Sequence, residues 1–300
     1  MNPKLSAAAA TILWGFTYIV STMLLPHNPL LVGAVRALGG ALVLLLLARQ
    51  RPSAGWWDKL IILGTLNAGL FFGLLFIAAM RLPGGVAAIF QALGPLCVIL
   101  MGWGILGVRP TLLKIASVLI GVAGVSLVVL KGDAGLDLIG VAAALGSALS
   151  LALGGILINK WGKPPMPMLA FTGWQLLIAG VELSVVALLA QDIPEAVTGT
   201  HVVGFTILAI LLTALPFVLW FKAIASAGAV VVAPFFLLVP ITAFVLDALV
   251  KGFIPTAYQV VGAIIVIAGL LLSQWTPRAR VKAAAAHPRH DAHPHRSTHS

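Results

Sequence analysis

Ten stretches of this chain run for about twenty residues with almost no charged side chain, and roughly twenty apolar residues is what the hydrocarbon core of a bilayer requires of a helix. They fall at about 5–25, 30–48, 60–80, 84–106, 112–130, 137–159, 167–189, 202–226, 229–250 and 256–275. A backbone in lipid must satisfy its own hydrogen bonds, so the pattern predicts an all-α integral membrane protein of ten transmembrane helices. Composition agrees. Of 300 residues 61% are hydrophobic and 9% charged, with a mean hydropathy of +1.11, where soluble domains carry about 25% charged residues.

Basic residues are unevenly shared between the two sets of span ends. With the N-terminus in the cytoplasm, one set holds Lys4, Arg49, Arg51, Lys59, Arg109, Lys114, Lys160, Lys163, Lys222, Arg278, Arg280, Lys282, Arg289 and Arg296, and the other only Arg81, Lys131 and Lys251. The positive-inside rule then places both termini in the cytoplasm, and an even number of spans agrees. This topology accounts for the net charge of +10 without a nucleic-acid partner. Asp133, Asp137, Asp192, Glu195 and Asp247 gather at the external ends. The first span follows one basic residue and precedes no convincing cleavage site, so it reads as a retained helix and not a signal peptide.

The chain also repeats itself. Pro95, Gly107, Pro110, Thr111 and Gly124 recur as Pro240, Gly252, Pro255, Thr256 and Gly269, each pair 145 residues apart. The expected division is a first five-helix repeat over 1–133, a second over 134–276 and a flexible basic tail over 277–300. An odd number of spans per copy forces the second copy to enter the membrane upside down, and inverted repeats are an architecture of transporters. The short connections at 82–85 and 226–229 predict tight antiparallel hairpins. Five of the seven histidines lie in the tail among Pro288 and Pro294, a composition that favours a solvated segment over a metal site.

Trp14-Gly15 in the first span, the turn at 106–111 leading into 120–124, and its copy at 250–256 leading into 267–269 carry a family resemblance. From Lys4 to Trp275 the chain resembles the drug/metabolite transporter superfamily, EamA-type, and within it looks most like the YddG-type aromatic amino-acid exporters. Many members place a glutamate after the turn glycine, where this chain has Val108 and Phe253. The resemblance implies a bacterial inner membrane and a central cavity surrounded by spans one to four and six to nine, with five and ten outside. It also implies a cargo of aromatic or large apolar amino acids. Small proton-coupled multidrug relatives carry a glutamate in their first helix, and span one here has no carboxylate.

Candidate solute contacts follow from helical spacing. Trp14, Thr17, Tyr18 and Ser21 share one face of span one. Ring faces and hydroxyls at one depth suit a wet cavity, although such a stripe also packs helices. Asn67, Gln91, Ser150 and Gln175 are polar groups inside spans that need partners across helices or in a cavity. Phe90, Trp174, Phe217, Trp220 and Phe235 offer further aromatic walls or lipid contacts, whereas Trp56, Trp57, Trp161 and Trp275 near span ends read as interfacial anchors. Arg36 and Glu182 are the formal charges well inside spans, at similar depth, and are expected either to pair or to face the vestibule, with snorkelling as the bland alternative. Pro95, Pro216, Pro234 and Pro240 mark kinks that suit hinged bending. Gly69 with Gly73, and Ala142, Gly146, Ser150 and Gly154, are small-residue packing faces.

Several classes drop out. No glycine-rich phosphate loop followed by Lys-Ser or Lys-Thr occurs, so the chain is not an ATP-driven pump. His27 and His201 fall in external loops far apart and Cys97 is alone in an apolar run, which leaves no enzyme centre, no metal site and no disulfide. No cofactor is expected. A channel would need a repeated filter or a charged ring. What remains is an exporter of small solutes working by alternating access. An exporter of hydrophobic organic cations is the alternative, with a channel or scaffold behind it, and the partners are a small-molecule substrate and the lipid bilayer, in a monomer or a homodimer.

Overall fold

The computed structural model describes residues 2–107, 109–130, 137–162, 164–227 and 232–274. Val108, Lys131, Asp133, Lys163, the linker glycine Gly228, Trp275 and the histidine-rich tail lie outside the described residues. Among the described residues the chain is all helix: α1 Pro3–Met23, α2 Pro29–Ala48, α3 Trp57–Arg81, α4 Gly84–Leu106, α5 Leu112–Leu130, α6 Leu138–Trp161, α7 Met168–Leu189, α8 Gly199–Ala227, α9 Leu238–Lys251 and α10 Ala257–Gln274. Seven of these are long and apolar enough to cross a bilayer by length and composition alone, with mean hydropathies from 1.4 to 2.6. Large apolar side chains cover the outside, as at Leu42, Leu119 and Ile264, while Thr17, Arg36, Ser147, Asp247 and Gln259 are buried. A surface more apolar than parts of its interior is stable only with lipid as solvent.

Local chemistry sets the helix ends. Asn2 accepts from the Lys4 amide ahead of Pro3 at the start of α1, and Pro29 opens α2, where a missing amide hydrogen is harmless. Asp137 caps α6 by accepting from the Ile139 and Gly140 amides, and the hydrogen bond from Arg81 is the largest influence holding its carboxyl below the usual carboxylate range. His201 closes a capping box with Thr198 at the start of α8. Gly107 and Gly252, a repeat pair, end α4 and α9 at φ 67° and 64°, the left-handed region that glycine enters without penalty.

Glycine governs the packing of α2 on α7. A Cβ on Gly180 would lie 2.6 Å from Leu38, and one on Gly33 would lie 3.1 Å from Leu183, so each helix seats the other's leucine. The small faces of α6 act likewise: Gly146 receives Leu74, and a methyl on Gly154 would overlap the Asn67 amide. Helices α5 and α10 pack on one another through a self-complementary contact. Gly124 sits against the Gly262 carbonyl and Gly269 against the Ser117 carbonyl, with 2.8 and 2.9 Å to a notional Cβ. The offset of 145 residues maps Gly124 onto Gly269 and Ser117 onto Gly262, so the same pair of positions meets twice.

Four spans depart from regular α-helix, and the departures also come in pairs. Helix α3 is π-helical over Thr65–Leu70 and α8 over Ile207–Ala214. Helix α4 breaks at Leu93, and α9 is preceded by a 3₁₀ turn, Ala233–Leu237, ending at Leu238. The span expected at 229–250 is therefore not one α-helix. Pro234 opens the 3₁₀ turn and Pro240 stands in the first turn of α9, as Pro95 does in the second half of α4. Proline is tolerated at such starts and breaks the ladder before them. Pro216 follows the π segment of α8 and is buried.

Candidate functional site

A cavity of about 410 Å³ occupies the seam between the first four helices and α6 to α9. Its wall takes residues 14–18 of α1, Arg36 of α2, 67–75 of α3, Gln91 of α4, 151–158 of α6, 168–176 of α7, 217–221 of α8 and 236–239 around the start of α9; among the described residues α5 and α10 contribute none. In α6 to α9 these positions all lie toward one end of the bundle, the end at which α1 begins.

Aromatic rings make one side of that wall. Trp14 lies 5.4 Å from Phe217, 5.5 Å from Trp220 and 5.4 Å from Phe236, and Trp220 meets Phe236 edge-on at 5.2 Å. Phe221 stacks on Phe217 at 5.8 Å. These are contact distances for rings against rings. The five form a continuous wall, too close to admit an ammonium group between them as a cage would.

Polar groups line the same cavity. Asn67 donates to Gln175 Oε1 at 2.8 Å, Gln175 donates to the Phe171 carbonyl at 3.2 Å, and Gln91 donates to Ser147. The π turn of α3 is where this network attaches, because Ser150 donates to the Leu66 carbonyl at 2.7 Å. The π turn of α8 anchors the other polar group: Arg36 donates from Nε to Thr213 Oγ1 at 2.9 Å and from Nη2 to the Leu212 carbonyl at 3.3 Å. Its guanidinium lies over Phe72, 4.5 Å from the ring centroid. Buried Arg36 Nη1 and Thr17 Oγ1 have no hydrogen-bond partner among the described residues.

The opposite end of the bundle is closed. Gly84 and Gly85 press on Tyr18 and on the Phe244 ring with no room for a side chain, and the Gly85 amide donates to Asp247 Oδ2 at 2.8 Å. Lys251 Nζ lies 3.3 Å from Asp247 Oδ1, an ion pair off the hydrogen-bonding direction, with the carboxylate 1% exposed.

Of the residues expected in a solute path, Trp14, Thr17, Tyr18, Asn67, Gln91, Gln175, Phe217, Trp220 and Arg36 meet at this cavity. Ser21 does not: it donates to the Tyr18 carbonyl within α1. Phe90 is fully buried in the core, Ser150 is spent on Leu66, and Phe235 packs on the cluster around Ala7 and Ala223. Trp174 faces outward, donating to the Gln50 carbonyl and meeting Trp57 edge-on. Arg36 and Glu182 do not pair. Leu183 turns toward Gly33 of α2, which leaves Glu182 facing α3, where Thr65 Oγ1 lies 2.6 Å from its Oε1 and Gly69 leaves it room. Trp56 and Trp161 pack beside a small core of Leu60, Leu63 and Phe171.

Phe71, Phe72, Phe171, Thr172, Phe221 and Phe236 were not singled out by sequence and line the wall. A signal existed for three of them: Phe71 follows Asn67 by four, Phe171 precedes Gln175 by four and Phe221 follows Phe217 by four, one helical turn each.

The sequence profile of the EamA-like transporter family matches residues 3–130 and again 138–275. Protein PecM of Dickeya dadantii is 36% identical over 277 residues, covering 91% of this chain and 93% of its own length. The uncharacterized transporter YvbV of Bacillus subtilis is 27% identical over 285 residues and 93% of each chain. One solved crystal structure shares the fold at a TM-score of 0.63 and 19% identity, over 90% of this chain and 97% of the other.

Proposed function

Because this chain belongs to the EamA-like transporter family, we propose that it exports aromatic or large apolar amino acids across the bacterial inner membrane by alternating access through the cavity beside Trp14. The single observation that carries this reading is the ring wall of Trp14, Phe217, Trp220 and Phe236 sharing one cavity with the amides of Asn67, Gln91 and Gln175. An aromatic side chain stacks on such a wall, and its polar end meets the amides. With both termini in the cytoplasm, the Gly84 end is external and the cavity lies toward the cytoplasm, the arrangement of a carrier ready to load from inside. Export follows when the inner ends close and the Gly84–Asp247 seal parts, so that the two inverted copies exchange roles. Breaks at Leu93 and Leu238 are the hinges of this movement.

Among the described residues no carboxylate lines the cavity, which favours an amino acid over an organic cation and leaves proton coupling without a carrier in the path. The solute's own gradient then drives export. Labelled phenylalanine, tryptophan and leucine in liposomes holding only this protein provide the test. Saturable counterflow is expected, indifferent to an imposed proton gradient and without electrical conductance. Trp14→Ala should lower the rate by about tenfold or more, the scale of a lost aromatic anchor of about 1.4 kcal/mol or above. Failure of all three amino acids to exchange, in protein that remains monodisperse, rejects the reading, and single-file conductance would indicate a channel.

A further inference from the structure

We infer that the cavity recognises its solute by a carboxylate bound at Arg36, so that aromatic acids lacking an amine are ligands of the same site; this rests on the proposal that the cavity is the transport site. Arg36 is the one formally charged side chain in the wall among the described residues. It is held in one orientation in that wall. Nε and Nη2 are tied to Thr213 and Leu212 and the guanidinium plane is braced by Phe72, so the group neither snorkels to the surface nor swings. Nη1 is buried without a partner among the described residues, as is Thr17 Oγ1 in the same cavity, and Nη2 keeps a second N–H, so the two terminal nitrogens still present a fork. A buried donor on a cation is costly to leave unpaired.

Among the described residues no anion answers this charge. Glu182 is engaged with Thr65 outside the cavity, and Asp247 with Gly85 and Lys251 in the seal. Arg36 is 3% exposed, so its charge is little screened and its field in the cavity favours negative solutes. Among the described residues the amine of an amino acid meets only neutral acceptors in the wall, such as the side-chain oxygens of Asn67 and Gln91. Gln175 Oε1 already accepts from Asn67, and the rings stand too close together to enclose an ammonium. Carboxylate recognition with a dispensable amine therefore follows from the donor set, the fork geometry of arginine fitting a planar carboxylate.

Three ligands with one skeleton separate the possibilities: 3-phenylpropionate, 3-phenylpropanol and 3-phenylpropylamine, titrated against the tryptophan fluorescence of the full-length protein in lipid nanodiscs. The expected order is propionate, then alcohol, then amine, with propionate at least about tenfold tighter than alcohol. Arg36→Gln should bring propionate to the level of the alcohol and leave the alcohol within about twofold, while Arg36→Lys keeps part of the preference. Amine binding as tight as propionate, or a propionate preference that survives Arg36→Gln, overturns the inference. If Arg36→Gln fails to fold, the order of the three ligands on the unaltered protein still decides. Amino acids exported with no propionate preference reject the anion site alone, whereas propionate bound with no amino acid exported rejects the export reading and upholds the anion site.

Discussion

At the scale of residues, the cavity sorts neighbours. Phe90 and Gln91, Trp174 and Gln175, Phe235 and Phe236 are adjacent pairs, and in each the second member lines the wall while the first packs elsewhere. Consecutive residues on a helix differ by about 100° or more in direction, so a wall can take both neighbours, as at Thr17 and Tyr18 or Trp220 and Phe221, or only one, as in these three pairs. Residue type alone could not choose, because a ring and an amide are both credible at a cavity and both credible in packing. Glu182 illustrates the same limit for charge. Similar depth allowed a pair with Arg36, but the direction of each side chain around its helix sent them to α3 and α8 instead. Since Glu182 serves a contact outside the cavity and an amide has the same shape, Glu182→Gln is expected to keep expression and transport within about twofold, a change of roughly 0.4 kcal/mol, in the same liposome assay.

At the scale of elements, the prolines and turn glycines were legible because each has a backbone reason that needs no neighbour: a missing amide hydrogen, or a left-handed φ. The π segments were not. Nothing in residues 65–70 or 207–214 distinguishes them locally, and the wide turns are supported by donors from other helices, Ser150 onto Leu66 and Arg36 onto Leu212. The closed end is likewise a tertiary device, built by two glycines of the 82–85 connection and a carboxylate 162 residues away from Gly85. Removing that carboxylate should loosen it. In a Cys97→Ser background, Asp247→Ala is expected to raise severalfold the rate at which a membrane-impermeant thiol reagent added outside labels Thr17→Cys, and Asp247→Asn, which keeps an acceptor for the Gly85 amide, less so. Unchanged labelling in both would show that the seal is held by Tyr18 and Phe244 packing alone.

At the scale of the whole molecule, nine of the ten apolar runs matched helices to within about three residues at each end, the run at 229–250 being the exception, because lipid imposes length and hydrophobicity directly on the sequence. The sequence could not say how those helices associate, since small-residue faces mark contact without naming the partner. Gly124 and Gly269 had been legible only as a repeated pair, and the structure puts them on opposite sides of one seam. Each lies against backbone and cannot yield, so Gly124→Val and Gly269→Val are each expected to destabilise the detergent-solubilised protein by about 1–3 kcal/mol, the range for overpacking. Near-equal losses in melting temperature are the expected result, and a loss confined to one of them would deny the equivalence.

That seam has a mechanical consequence. A contact made of the same two positions counted twice lies on the axis that interchanges the halves, and whatever the halves do to one another, a point on the axis sees no difference between the two outcomes. In the alternating-access cycle proposed above, the α5–α10 junction can therefore stay welded as a fulcrum, leaving the rearrangement to the eight other helices.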